Sequence, residues 1–171
     1  MNGYEFYPED GSTLYEEEAW ELSEQARSLW LHLAFAGEYS EGMSPVQIQG
    51  RKYLPMFPAR DGVYTIEQVR EKFLAVFSEE FTDKTLNAAI ASKDLLEYNG
   101  NVYAAYKKNR GETSYNSWAD HVRDDGDGKF TVVMGVSMPP DGSTVYVELP
   151  TEKNAAGKFV FTDYPYWDRS E

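Results

Sequence analysis

Few side chains in this chain are equipped for chemistry. His32 and His121 are the only imidazoles among the 171 residues, and there is no cysteine. Disulfides, thiolate metal sites, cysteine nucleophiles and multi-histidine metal centres are therefore excluded. Acids are plentiful, 29 against 16 basic residues. Asp94, Glu97, Glu112, Asp120 and Glu148 fall in strand-like segments, where a carboxyl buried in an aromatic cavity would have a raised pKa and could serve as a general base. His121 directly follows Asp120, and strict strand alternation puts neighbours on opposite faces, so the two are expected not to form a dyad. His32 sits in an apolar helical run and is expected to be a satisfied core histidine. The run Asp124-Asp125-Gly126-Asp127-Gly128 invites a calcium reading. Lys129 stands two residues beyond Asp127, however, and no Glu closes a loop of about twelve residues, so hairpin turn chemistry accounts for the run better. No Gly-x-Ser-x-Gly elbow, Gly-rich phosphate loop or His-Glu-x-x-His motif occurs. The chain is expected to be no enzyme, with no catalytic residue, metal or cofactor.

Charge is the next signal. The formal net charge is -13, which repels phosphate backbones and argues against nucleic acid as a partner. Residues 1–26 hold eight acids and no Lys or Arg. A solvated helix face, with acids favoured at the helix N-terminus by its dipole, is one explanation. The sharper one is an acidic docking surface for a basic protein partner. Its candidate contacts are Glu16, Glu17, Trp20, Glu21 and Glu24 on the outer helix face, with Asp124, Asp125 and Asp127 in the Asp-rich turn. Trp20, set among glutamates, either packs beneath the N-terminal aromatics Tyr4, Phe6 and Tyr7 or stands exposed at an interface.

These residues need elements to hold them. Hydrophobic residues make up 42% of the chain and aromatics 15%, enough for one ordered domain of this size. Three parts are expected: an acidic arm at 1–12, a single domain over 13–167 and a tail at 168–171. Thr13 to Glu16 has the pattern of a capping box opening a helix to about Ala36, with Tyr15, Ala19, Leu22, Ala26, Leu29, Trp30 and Leu33 on one stripe. Short strands are expected at Val46–Ile48 and Tyr53–Leu54. A second capping box, Thr65 to Gln68, opens a helix carrying Ile66, Val69, Phe73, Leu74 and Phe77 inward. Thr82 is expected to cap a third helix running to about Ser92.

From Leu95 the period changes to two. Leu95 to Tyr98 and Val102 to Lys107 flank Asn99-Gly100, a strong hairpin signal. Strands follow over Thr113 to Arg123, Lys129 to Met138, Thr144 to Leu149 and Lys158 to Tyr164. The expected fold class is α+β, with N-terminal helices packed on one face of a curved antiparallel meander sheet. No apolar run reaches the length of about 18 residues that a membrane span needs. Met1 to Tyr7 lacks the basic and apolar regions of a leader. The expected compartment is thus either the cytoplasm or, for a mature domain, the outside of the cell.

The order of elements resembles a known family. Tyr64-Thr65-Ile66-Glu67-Gln68-Val69, then Leu74 to Thr82, then Leu95-Leu96-Glu97-Tyr98-Asn99-Gly100-Asn101-Val102-Tyr103, then a meander ending in Gly157-Lys158-Phe159-Val160-Phe161, are similar to the IseA-type inhibitors of bacterial cell-wall DL-endopeptidases. More loosely they resemble cystatin-like and nuclear-transport-factor-like α+β domains. The likeness covers about residues 13–167 and is mostly one of architecture. It implies a secreted or surface-held Gram-positive protein that binds and blocks a peptidoglycan hydrolase. The acidic arm, and Tyr164-Pro165-Tyr166-Trp167 in place of a plain strand end, depart from it.

Two further readings stand beside the inhibitor. One is a small-molecule binding or isomerase-like domain with a pocket on the concave sheet face; the other is an acidic immunity-type protein. A deep aromatic cavity holding one buried acid would favour the pocket. A filled core under an exposed acidic, tryptophan-bearing face would favour a protein partner.

Overall fold

The computed structural model describes residues 11–34, 44–106, 116–138 and 142–164. The expectations for the arm up to Asp10, the helix end at Phe35 and Ala36, the strand start at Thr113 to Tyr115, the turn at Pro140-Asp141, Glu112, Tyr166-Trp167 and the tail lie outside the described residues.

The chain is α+β. Its described elements run α1 (Glu16–Ala34), β1 (Val46–Ile48), β2 (Arg51–Pro55), a short 3-10 turn at Ala59–Asp61, α2 (Ile66–Leu74), α3 (Glu79–Ala91), β3 (Leu95–Tyr98), β4 (Asn101–Ala105), β5 (Asn116–Gly126), β6 (Lys129–Met138), β7 (Ser143–Lys153) and β8 (Phe159–Phe161). The strands form two antiparallel sheets, ordered β1-β2-β4-β3 and β5-β6-β7-β8. This corrects the expected single sheet. The meander is the second sheet alone, while β2 pairs with β4 far along the sequence, Tyr53 opposite Ala105. Strand pairing over such a separation has no local signal in the sequence.

Local chemistry explains most element ends. At α2, Thr65 accepts from the Gln68 amide and the Gln68 side chain accepts in return, the expected capping box. Glu97 of β3 adds a further acceptor, its Oε1 2.7 Å from the Ile66 amide. At α3 the cap is Ser78, whose hydroxyl accepts from the Phe81 amide at 3.2 Å, and not Thr82 as expected. Two hydroxyl residues competed for one helix start, and Ser78 is the one left with extended backbone. Helix α1 begins after Tyr15, later than its capping-box pattern suggests, with Leu14 tucked into the core. Asn99 and Gly100 both take positive φ, as their hairpin requires.

With Thr82 inside α3, its side chain is 0% exposed and its hydroxyl has no hydrogen-bond partner. An unmade buried hydrogen bond destabilises, and valine matches threonine in shape and in helix propensity. Thr82→Val is therefore expected to raise stability by about 1 kcal/mol. A loss of that size in chemical denaturation would show that the hydroxyl is satisfied after all.

One core cluster joins the elements. Leu22, Ala26, Leu29 and Leu33 of α1 share it with Leu54, Val102 and Ala104 of the first sheet and Val132, Met134, Val136 and Leu149 of the second. The helical pair α2 and α3 is tied to the second sheet through the segment between them. Phe77 bridges Phe161 of β8, the Phe161 amide donates to the Val76 carbonyl at 2.9 Å, and the Ser78 amide donates to the Phe161 carbonyl at 2.8 Å. Residues 66–105, preceded by β2, follow the order helix, turn, helix, hairpin, with strand order β2-β4-β3; this is the connectivity of a winged helix-turn-helix unit.

Candidate functional site

The acidic face of α1 forms as expected. At about 100° per residue, Glu16, Glu17, Trp20, Glu21 and Glu24 share roughly 140° of arc, opposite the buried stripe of Ala19, Leu22, Ala26, Leu29 and Leu33. Glu16, Glu17 and Glu21 are exposed, Glu24 is half-buried, and Trp20 is 48% exposed. A tryptophan with half its surface in water, ringed by carboxylates, is the largest side chain α1 offers a partner.

The Asp-rich turn is organised differently. Asp127 and Gly128 make the two-residue connection from β5 to β6, both at positive φ, so hairpin chemistry holds. Asp124 accepts from the Gly126 amide at 2.9 Å. Asp125 is engaged by Arg123 Nε at 2.8 Å and by the Thr131 hydroxyl. Arg123 also donates to Glu148 at 2.7 Å. Of the three aspartates, only Asp127 has no described hydrogen bond or ion pair. Asp124 and Asp125 are spent within the hairpin, and the structure gives no described contact between this turn and the α1 glutamates.

The strand acids hold no buried base among the described residues. Asp94 pairs with Arg51, Glu97 caps α2, Glu148 pairs with Arg123, and Asp120 meets His121. The last is a correction. His121 Nδ1 lies 2.8 Å from Asp120 Oδ2 because β5 carries a bulge: Ala119 pairs with Met134 and His121 with Val133, leaving Asp120 as the extra residue. Alternation fails at a bulge, so the two side chains come together. A lone Asp120–His121 pair, both side chains well exposed, lacks a nucleophile among its described partners. Nothing in the sequence of β5 marks where its extra residue falls.

His32 is likewise not a core residue. It is half-buried, stacked on Phe57 with centroids 4.8 Å apart, and its Nδ1 lies 2.7 Å from the Ser28 carbonyl. It lines an open cleft of about 420 Å³ with Gln25, Phe57, Asp61, Lys72 and Ala75. A second open cleft, about 430 Å³, adjoins it through Gln25 and Ala75 and is lined by Leu14, Glu18, Glu21, Lys158 and Phe159. The cavity between α1 and the second sheet, under Trp30, Met134 and Tyr164, is only about 10 Å³, scarcely room for one water. The buried polar residues described are Ser23, Thr82, Thr85, Thr131 and Thr151, with no acid among them. No group of three or more His, Asp or Glu side chains suited to a metal occurs among the described residues.

Among the described residues, three carboxyls sit below their ordinary value near 3.8. For Asp83 the cause is its hydrogen bond from Arg70 (2.8 Å), for Asp120 that from His121, and for Asp125 those from the Thr131 hydroxyl and Arg123. A carboxyl depressed in the folded state contributes stability above its unfolded pKa and loses it as pH falls through the folded one. The folded state is therefore expected to weaken steadily as pH falls below about 4. Asp83→Asn should flatten part of that acid limb and leave the slope near neutral pH unchanged, as followed by thermal melts across pH; an unaltered limb would show that Arg70 does not hold Asp83 in solution.

Among the described residues no helix is long and apolar enough to cross a membrane. No family model matches the chain, and no curated protein matches it in sequence, so its assignment as an α+β protein rests on its own elements and sheets.

Proposed function

We propose that this chain is a non-enzymatic protein-binding module whose docking surface is the outer face of α1, and that its partner is a cell-wall DL-endopeptidase, which it inhibits outside a Gram-positive cell. The observation that carries the reading is Trp20, half exposed amid Glu16, Glu17, Glu21 and Glu24 over a filled core. An exposed aromatic ringed by charge has the form of a binding hot spot with an electrostatic rim. The absence of a buried acid among the described residues weighs against the isomerase-like alternative. The helix-turn-helix order raises DNA as a partner, but α3 carries Glu79, Glu80 and Asp83 against one lysine, Lys84, and the adjacent Arg70 is already paired with Asp83 and Glu79, a balance that opposes phosphates. The endopeptidase itself is chosen on the resemblance of about residues 13–167 to the IseA-type inhibitors.

The test is inhibition of a purified DL-endopeptidase of the NlpC type, measured at low and high salt. Inhibition at low salt, weakened by salt, is expected. Combining Glu17→Lys, Glu21→Lys and Glu24→Lys should weaken binding at least about tenfold, mainly by slowing association. Trp20→Ala should cost about thirtyfold, mainly through faster dissociation. Absence of binding at low salt would remove the endopeptidase, and binding indifferent to all four substitutions would remove the helix face.

A further inference from the structure

We propose that the outer face of the second sheet, the face turned away from the core, is a binding platform for a short neutral glycan. The register sets three rows across β5, β6 and β7: Trp118–Gly135–Tyr146, His121–Val133–Glu148 and Arg123–Thr131–Pro150. Their neighbours along each strand (Ala119, Val122, Val132, Met134, Val147 and Leu149) face the core instead. In the first row the central residue has no side chain. The Trp118 indole lies across that gap, so close that a Cβ on Gly135 would stand 2.4 Å from its ring. Tyr146, on the far side of Gly135, is 59% exposed, the most exposed large hydrophobic side chain described.

Both bulges of β5 serve this face. Each leaves an aspartate as the extra residue, Asp120 between Ala119 and His121 and Asp125 between Asp124 and Gly126. Each aspartate then holds an outward-facing donor: Asp120 the His121 ring at 2.8 Å and the Trp118 Nε1 at 3.4 Å, Asp125 the Arg123 Nε at 2.8 Å. Glu148, reaching from β7, takes the Arg123 Nη1, and Thr131 the Nη2 at 3.2 Å. Two aromatic surfaces thus lie beside a row of polar groups whose orientations are set by one another before any ligand arrives.

This combination suits a polyhydroxylated ring. The electron-rich faces of indole and phenol attract the C–H face of a pyranose, and fixed carboxylate, imidazole and guanidinium edges hydrogen-bond its hydroxyls. Arg123 is shared by Asp125 and Glu148, and with Asp120 beside them the face holds more carboxylate than cation, which opposes an anionic ligand and suits an uncharged, hydroxyl-rich one. Strand geometry makes the platform roughly 14 Å by 10 Å, far short of the ~800 Å² per partner of a stable protein interface. A peptide added as a strand would use a sheet edge, and the groups here are on the face. The proposal is independent of the α1 surface.

The probes are the tetrasaccharides of N-acetylglucosamine and of β-1,4-linked glucose, titrated into the full chain by tryptophan fluorescence and calorimetry. Binding of at least one, with Kd on the order of 1 mM or tighter, is expected. Tyr146→Ala should weaken it about tenfold and Trp118→Ala should abolish it. Trp20→Ala, on α1, should leave it unchanged, which separates this platform from the protein-docking face. Should Trp118→Ala fail to fold, Tyr146→Ala decides, because that side chain is mostly in water. No heat or fluorescence change with either sugar up to about 10 mM, or equal binding by Tyr146→Ala, overturns the proposal.

Discussion

Replacing Phe77 with alanine is expected to cost about 3–5 kcal/mol, the range for emptying a buried phenylalanine site. Phe77 is 1% exposed, and four rings surround it: Phe81 at 4.8 Å between centroids, Phe73 and Tyr164 at 5.6 Å, and Phe161 at 6.4 Å. These come from α2, α3, β8 and the chain following it, so no single element can close over the void. Total stability of a domain this size is about 5–15 kcal/mol, which makes the loss a large share of the whole. Denaturant unfolding should show a lower midpoint at an unchanged slope. Phe77→Leu, nearer in volume, should recover most of the deficit. Because the chain around Phe77 also bonds to Phe161, exchange of the Phe161 amide should quicken more than that of amides in the β3–β4 hairpin. A cost below about 1 kcal/mol would mean that the aromatic cluster is not what joins α2 and α3 to the second sheet.

The second large effect is expected at Gly135. Its φ is not in the left-handed region, so the backbone tolerates alanine; the obstacle is the Trp118 ring over it. Gly135→Ala must push that indole aside, at a cost of about 1–3 kcal/mol. A change in tryptophan emission should accompany it. The pair can be separated by a double-mutant cycle: in a Trp118→Ala background the obstacle is gone, and Gly135→Ala should become close to neutral. Equal cost in both backgrounds would show that the ring does not rest on Gly135 in solution.

The origin of these two sites differs in how visible it was from residue order. Helical spacing from Val69 and Phe73 placed Phe77 inward on a helix. It is buried, but the helix ends at Leu74 and Phe77 reaches the core from the turn beyond it, in a bridge to Phe161 that residue order did not show. Val69 and Phe73 follow the helical period as expected, since helical periodicity is a property of neighbouring residues. The same holds for the Thr65–Gln68 cap and for the Asn99-Gly100 and Asp127-Gly128 turns, where local conformational energies act within a few residues. The α1 glutamates and Trp20 were legible on one face for the same reason. Ser78 against Thr82 was not, because either hydroxyl can cap, and packing decided which one was buried.

The platform around Trp118 had no such signature. Alternation assigned Asp120 and His121 to opposite faces, and a single unpaired residue reversed that. Nothing in residue order singled out Gly135; register set Trp118 and Tyr146 on either side of it. By itself, then, the amino-acid order determined the α+β class, the Thr65–Gln68 cap, the tight turns, the inward stripes and the acidic helix face, all of which arise from interactions between residues close in the chain. Tertiary structure alone decided that the strands divide into two sheets, that β5 bulges twice, and that its aspartates meet His121 and Arg123. Those outcomes depend on which distant strands pair and how their side chains pack, and the energy of such contacts exists only once the chain has closed upon itself.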